Sequence, residues 1–211
     1  MNKIVLALVA GAACGMAQAG TIVMSQSVYG TAASGEFNAT PSGLGFSPLA
    51  LNNAGYFETF CLEKNEYFNY GQAYNVVIGT AADAGGVAGQ VGSTDPLDDR
   101  TAYLYYAFIT GGLTGYDYSN GLGQRQANGI ALQNAIWFLE NEVGTLDSAD
   151  AIAYYNFAQA GAGQGLGLVR VANLYDDAGG KVQSQLITIP TPGAFAGLAI
   201  AGAFAARRRR A

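Results

Sequence analysis

Ala127-Asn128-Gly129-Ile130-Ala131-Leu132-Gln133-Asn134-Ala135-Ile136-Trp137-Phe138-Leu139-Glu140-Asn141-Glu142-Val143 is the stretch that orders the rest of the chain. Ile130, Leu132, Gln133, Ile136, Trp137 and Leu139 crowd one side at helical spacing, so residues 127–143 read as a helix. Before it, Asp98-Asp99 precede a second helical stretch, residues 100–109, with Tyr103, Tyr106 and Ala107 on one face and an acidic start that suits the helix dipole. After it, Ser148 is a candidate N-cap for a third helix over residues 149–159. Extended segments flank this helical block. Upstream, residues 21–29, 35–40, 56–62 and 74–78 read as strands, with loop signals at Pro41-Ser42-Gly43, at Asn52-Asn53-Ala54-Gly55 and over residues 81–95. Downstream, residues 169–174 and 182–189 form a hairpin around Asp176-Asp177-Ala178-Gly179-Gly180. Strands, a helical insert and a closing hairpin predict one α+β domain of β-sandwich or barrel-like strands over residues 20–189.

The two ends read differently from this middle. Lys3, the apolar run Ile4 to Ala13 and the small-x-small site Ala17-Gln18-Ala19 have the order of a secretory signal peptide over residues 1–19. At the other end, Pro190-Thr191-Pro192 leads into an apolar stretch to Phe204 and then Arg207, Arg208, Arg209 and Arg210. An apolar run with a basic stop reads as a membrane-inserted tail with its arginines on the cytoplasmic side. Residues 190–211 resemble a PEP-CTERM sorting signal, with Pro-Thr-Pro in place of the usual Pro-Glu-Pro. That resemblance implies export, transient membrane anchoring through the tail and removal of the tail by an exosortase-type membrane enzyme. It places the protein at the cell envelope, the cell surface or in an extracellular matrix.

The chain carries 10 basic and 15 acidic residues. Loss of Lys3 and Arg207 to Arg210 with the two ends would take the formal net charge from −5 to −10. So acidic a surface speaks against nucleic acid and anionic lipid as partners. There is no histidine, which excludes Ser-His-Asp, Cys-His and His-zinc chemistry. Of the two cysteines, Cys14 falls in the signal peptide, so the mature chain keeps Cys61 alone and has no internal disulfide.

Cys61 sits in Phe60-Cys61-Leu62 at a strand end, and Gln133 on the apolar side of its helix. A buried amide without partners costs about 1–3 kcal/mol, so Gln133 needs a reason to be there. One account is structural: Gln133 bonds a neighbouring backbone and Cys61 is an inert core residue. The other is chemical. Phe60-Cys61, and Leu132-Gln133 with Trp137, resemble the two motifs of bacterial thioester domains, although Asn134 is polar where that pattern is apolar. The resemblance implies that the Cys61 sulfur is joined to the side-chain carbonyl of Gln133 with loss of ammonia, giving an activated acyl group open to amines. Such a bond survives where water is kept out, and Phe60, Trp137, Tyr103 and Tyr106 are the candidate shields. No cofactor, no metal and no enzymatic turnover are implied; the expected use is covalent attachment to an amine-bearing surface or matrix target, as an adhesin or cross-linker. The alternative is a non-reactive matrix component with the same fold. The segments around Cys61, Asp98, Gln133 and Val169 are also similar to a recurrent group of PEP-CTERM proteins, which again implies export.

Other constellations are weaker. Asp95, Asp98, Asp99 and Asp117 lack the spacing of a calcium loop. Asp147 with Asp150, and Glu140 with Glu142, have the residue types of a glycosidase pair but read equally as helix-end charges. Tyr67, Tyr70, Tyr116 and Tyr118 are candidates either for sugar stacking or for core packing.

Overall fold

A computed structural model describes residues 20–31, 34–83, 85–119 and 121–190. The signal-peptide reading, and Thr191, Pro192 and Arg207 to Arg210 of the sorting signal, lie outside the described residues. Strands β1 (Gly20–Gln26), β2 (Phe37–Ser42), β3 (Phe57–Thr59), β4 (Ala73–Gly79), β5 (Ala81–Asp83) and β6 (Thr94–Pro96) come first. Helices α1 (Asp99–Ile109), α2 (Leu122–Leu139) and α3 (Ala149–Ala158) follow, then β7 (Val169–Tyr175) and β8 (Lys181–Thr188). Six strands form an antiparallel sheet in the order β3-β2-β1-β4-β7-β8, and β5 with β6 makes a separate ribbon. The domain is α+β, as its order of elements predicts.

The outer strands of that order approach each other. Just past β3, Leu62 N–H donates to Ser184 O and Leu186 N–H donates to Phe60 O, each at 3.1 Å, and Cys61 bridges Gln185. Thr59 Oγ1 adds a 2.6 Å bond to Leu186 O. The sheet thus curls until its last strand meets the continuation of its first in the order, and β8 is buried from Gln183 to Thr188. One apolar cluster lies among Ile22, Met24, Phe37, Phe57, Cys61, Tyr74 and Leu174. A larger one fills the space between Val169, Val171 and Leu186 and the three helices.

Several elements differ from the expected ones, for local reasons. Pro41 and Ser42 belong to β2, not to a loop. β3 pairs only with Phe37 to Ala39, so position 41 has an open side where a missing N–H costs nothing. Residues 81–95 are not all loop, because β5 and β6 close on each other. The face of α1 that is buried carries Thr101, Ala102, Leu104, Tyr105 and Phe108, whereas Tyr106 is 40 % exposed. α2 starts earlier than its apolar pattern suggests and stops at Leu139. It stops there because Asn141 turns left-handed (φ 65°), Glu142 N–H bonds Trp137 O at 2.7 Å and Asn141 N–H bonds Phe138 O at 3.3 Å. That is a Schellman ending with asparagine in the glycine position. Ser148 does cap α3, accepting from Ala151 N–H.

Candidate functional site

The bonds Leu62 N–H to Ser184 O and Leu186 N–H to Phe60 O bracket Cys61 and Gln185. This is the pattern of a non-hydrogen-bonded antiparallel pair, in which the two side chains come closest and the two residues' own amides point away from each other. Two consequences follow for Cys61. Its side chain meets Gln185, whose Nε2 lies 3.4 Å from Sγ. Its backbone N–H and C=O point toward the side where β2 would continue. The β2–β3 register ends at Phe37 opposite Thr59, so the chain supplies no strand partner at Cys61, and a buried orphan amide is costly.

Gln133 fills that place. Cys61 N–H donates to Gln133 Oε1 at 3.0 Å, and Gln133 Nε2 donates to Cys61 O at 2.8 Å. The side-chain amide stands in for one residue of a missing strand, and Gln133 is wholly buried. Gly35 makes room for it: a Cβ there would sit 2.6 Å from the Phe60 ring and 3.2 Å from Gln133 Oε1. The structure therefore brings Cys61 and Gln133 together, through the Cys61 backbone, and adds Gln185 at the sulfur. Burial, first, pushes the Cys61 thiol far above its usual range; the Gln185 hydrogen bond opposes this and Glu63 reinforces it.

Of the candidate shields, Phe60 is fully buried and packs edge-on against Phe108, with ring centroids 5.1 Å apart. Trp137, one turn beyond Gln133, packs on the cluster that contains Cys61. Tyr103 is elsewhere, its ring tilted at 31° against Phe157 with centroids 5.5 Å apart, and it lines a different pocket with Tyr106. Cys61 itself lines a pocket of about 340 Å³ whose walls include Phe37, Phe68, Tyr70 and Trp137, with exposed Lys64 and Tyr67. Phe37 and Phe68 meet edge to face at 5.2 Å. Asn134, polar where the thioester pattern is apolar, is occupied: its Oδ1 accepts from Asp147 N–H at 3.0 Å and pins the loop after α2.

A second network shares the α2 face. Arg125, Gly129, Gln133 and Trp137 follow at intervals of four and form one row. Arg125 clamps Glu36 with two bonds of 2.9 and 2.7 Å and reaches Glu58 at 2.6 Å. Tyr116 donates to Glu36 as well, and the Tyr29 ring lies under the guanidinium at 3.9 Å. Burial and the neighbouring Glu36 raise the Glu58 carboxyl above the usual range. The sequence carries no pattern that would pair these residues across the chain.

Several other carboxylates are engaged by local backbone or side-chain donors. Glu142 accepts from Lys64 N–H and Val87 N–H, each at 2.8 Å, and Glu140 accepts from Asp98 N–H at 3.3 Å. Asp98 caps α1 and pairs with Arg100, and Asp150 accepts from Asn128 at 2.9 Å. Tyr116 is buried, and Tyr118 donates to Phe108 O at 2.9 Å. Among the described residues no group of three or more Cys, Asp or Glu side chains is placed to hold a metal ion, and no helix is long and apolar enough to cross a membrane. Comparison with protein-family models, with curated proteins and with solved structures found no match to this chain.

Proposed function

We propose that this is an exported surface or matrix protein with a thioester-domain-like core, in which Cys61 and Gln133 form an internal thioester that attaches covalently to an amine on its target. The observation that carries this reading is the pair of hydrogen bonds between the Gln133 amide and the Cys61 backbone. They hold the acyl group against the residue that bears the sulfur, and they polarise it. With Cys61 N–H on Oε1, the charge that develops on that oxygen during attack has a donor already in place. The sulfur attacks Cδ of Gln133, the Sγ–Cδ bond forms, the Cδ–Nε2 bond breaks, and the thiol proton leaves with the nitrogen as ammonia. The aromatic-walled pocket at Cys61 is the route by which a target amine would reach the bond. An amine attack on Cδ then gives an amide and returns the thiol. One such event is attachment, not turnover, so the protein is not read as an enzyme.

A second reading rests on the same two bonds. Gln133 completes the hydrogen bonding of a strand end, and that alone suffices for an inert core in a non-reactive matrix protein. Intact mass separates the two. Fresh mature protein from its host should weigh one ammonia less than its sequence, and methylamine should add at Gln133 while freeing the Cys61 thiol. Cys61→Ala should abolish both. Full sequence mass and no methylamine adduct would leave the inert reading. Fresh material matters, because a hydrolysed thioester leaves glutamate at position 133 and nearly restores the mass. The same spectra read the ends: export and exosortase-type processing should give a chain from near Gly20 to near Thr191–Gly193, without Arg207 to Arg210.

A further inference from the structure

The two glutamines beside Cys61 are held in different ways. Gln133 has both ends of its amide taken: Oε1 accepts from Cys61 N–H at 3.0 Å and Nε2 donates to Cys61 O at 2.8 Å. An amide paired with a strand's backbone lies beside the strand, along the sheet's hydrogen bonds, whereas the strand's own side chains stand across that direction. To meet the sulfur, Gln133 would have to give up both bonds and leave the buried Cys61 backbone groups without partners.

Gln185 is placed the other way. It faces Cys61 across a non-hydrogen-bonded pair, the position in which two side chains on one face come closest. Cys61 shares one apolar cluster with Ile187, two residues on from Gln185, while Phe60, Leu62 and Leu186 belong to the other cluster. The thiol and the Gln185 amide therefore lie on the same face of the sheet. Gln185 Nε2 is 3.4 Å from Cys61 Sγ, and the amide carbon Cδ is one bond beyond it. The other contact of Nε2 is a 3.4 Å bond to Gln183 O. Gln185 is wholly buried, and its Oε1 has no hydrogen-bond partner among the described residues. A buried amide oxygen is seldom left so. A thioester carbonyl is a weaker acceptor than an amide, and loses less in such a place.

We propose that the acyl partner of the Cys61 sulfur is Gln185, so that the thioester joins β8 to the residues that follow β3, and that Gln133 is the clamp that holds the Cys61 backbone in place. This rests on the thioester reading and moves its carbonyl from α2 to the last strand. In formation, Sγ attacks Cδ of Gln185, the Sγ–Cδ bond forms, the Cδ–Nε2 bond breaks, and the thiol proton leaves with Nε2 as ammonia. In opening, an amine nitrogen bonds Cδ, the Cδ–Sγ bond breaks, and sulfur takes the proton that the amine gives up. The target is then carried on β8. Gln133 keeps its two bonds throughout and is not consumed. The pocket lined by Cys61, Trp137 and Gln183 is the way in for the amine and the way out for ammonia.

The test uses fresh mature protein from the host, opened with methylamine and digested with trypsin. Cleavage after Arg125, Arg170 and Lys181 puts Gln133 and Gln185 on separate peptides. The expected result is one added methyl group on the peptide that begins at Val182, placed at Gln185 by fragmentation, with Gln133 unmodified. Gln185→Met keeps the side-chain length and removes the carbonyl. That chain should show its full sequence mass, take up no methylamine and keep a free Cys61 thiol. An adduct at Gln133 overturns the proposal and leaves the thioester reading standing. A folded Gln185→Met chain that keeps the ammonia deficit does the same. If that variant does not fold, the wild-type peptide map decides. A wild-type chain with neither ammonia deficit nor adduct overturns the thioester reading itself, and the assignment of Gln185 with it.

Discussion

Arg125→Met is expected to lower the free energy of unfolding by about 3–5 kcal/mol, the cost of leaving a buried charge without its partner. Glu36 is fully buried, and Arg125 provides its two charge-assisted bonds. The Tyr116 hydroxyl cannot replace them, because it offers one neutral donor. Arg125→Lys should recover part of the loss, since it restores the charge without the planar two-point grip. Glu36→Gln in the Arg125→Met background should recover more, because it removes the stranded carboxylate. Urea denaturation of the four proteins reads the coupling directly. A loss under about 1 kcal/mol for Arg125→Met, the range of exposed ion pairs, would show that the Arg125–Glu36 pair does not act as a buried ion pair. The result also bears on the candidate site, because Arg125 and Gln133 lie two turns apart on one row of α2.

Stability should fall as pH rises from about 5 to about 8. Glu63 and Glu140 are nearly inaccessible to solvent, and burial first, then neighbouring carboxylates, raise each to about 8 from an ordinary value of 4.5. The unfolded chain therefore releases these protons near pH 4.5, whereas the folded chain keeps them until about pH 8. Between those values the folded state binds more protons, so the slope of unfolding free energy against pH is negative. The stabilisation is complete below about 4.5 and is lost as pH climbs through about 8. Asp95, raised to about 6 by burial and by Glu142, adds in the same direction. Each pH unit over which the fold alone keeps a proton is worth about 1.36 kcal/mol, so the two glutamates together contribute on the order of several kcal/mol. Thermal melts at pH 5 and pH 8 measure it, and Glu63→Gln or Glu140→Gln should each flatten the profile. A level or rising profile across that interval would mean that these carboxyls ionise normally in the fold.

Local chemistry is what the sequence makes legible. Ser148 announces α3 because a hydroxyl at an N-cap acts within one turn. The hairpin of β7 and β8 is visible because Asp176 to Gly180 carry turn chemistry of their own, and Asp176 Oδ1 does accept from Ala178 N–H and Gly180 N–H. α1 is harder. Tyr103, Tyr106 and Ala107 form one plausible stripe, Leu104, Tyr105 and Phe108 another, and only the sheet beneath decides which is buried. α2 is buried on so much of its surface, from Arg125 to Leu139, that its pattern marks neither its start nor its end. Within the site, Cys61 and Gln133 stand out by type, as the one thiol among the described residues and an amide on an apolar face. Gln185 does not, because a polar residue in a strand normally faces water. Its burial depends on β8 meeting residues 60–62, a contact between segments more than a hundred positions apart. Glu36, Glu58 and Arg125 are silent for the same reason.

The place where β8 ends has a mechanical meaning. The strand finishes at Thr188, and the described chain leaves the domain at Pro190. A pull applied beyond that point runs along β8, in shear against β7 on one side and against residues 60–62 on the other. Shear loads all the hydrogen bonds of a pairing together, so the strand resists until it slips as a unit. A slip of one residue would carry every side chain of β8 to the opposite face and would take Gln185 off the sulfur. Tension on the C-terminal end would thus act directly on the pairing beside Cys61, and the contact between the Cys61 sulfur and Gln185 would serve as a strain gauge for β8.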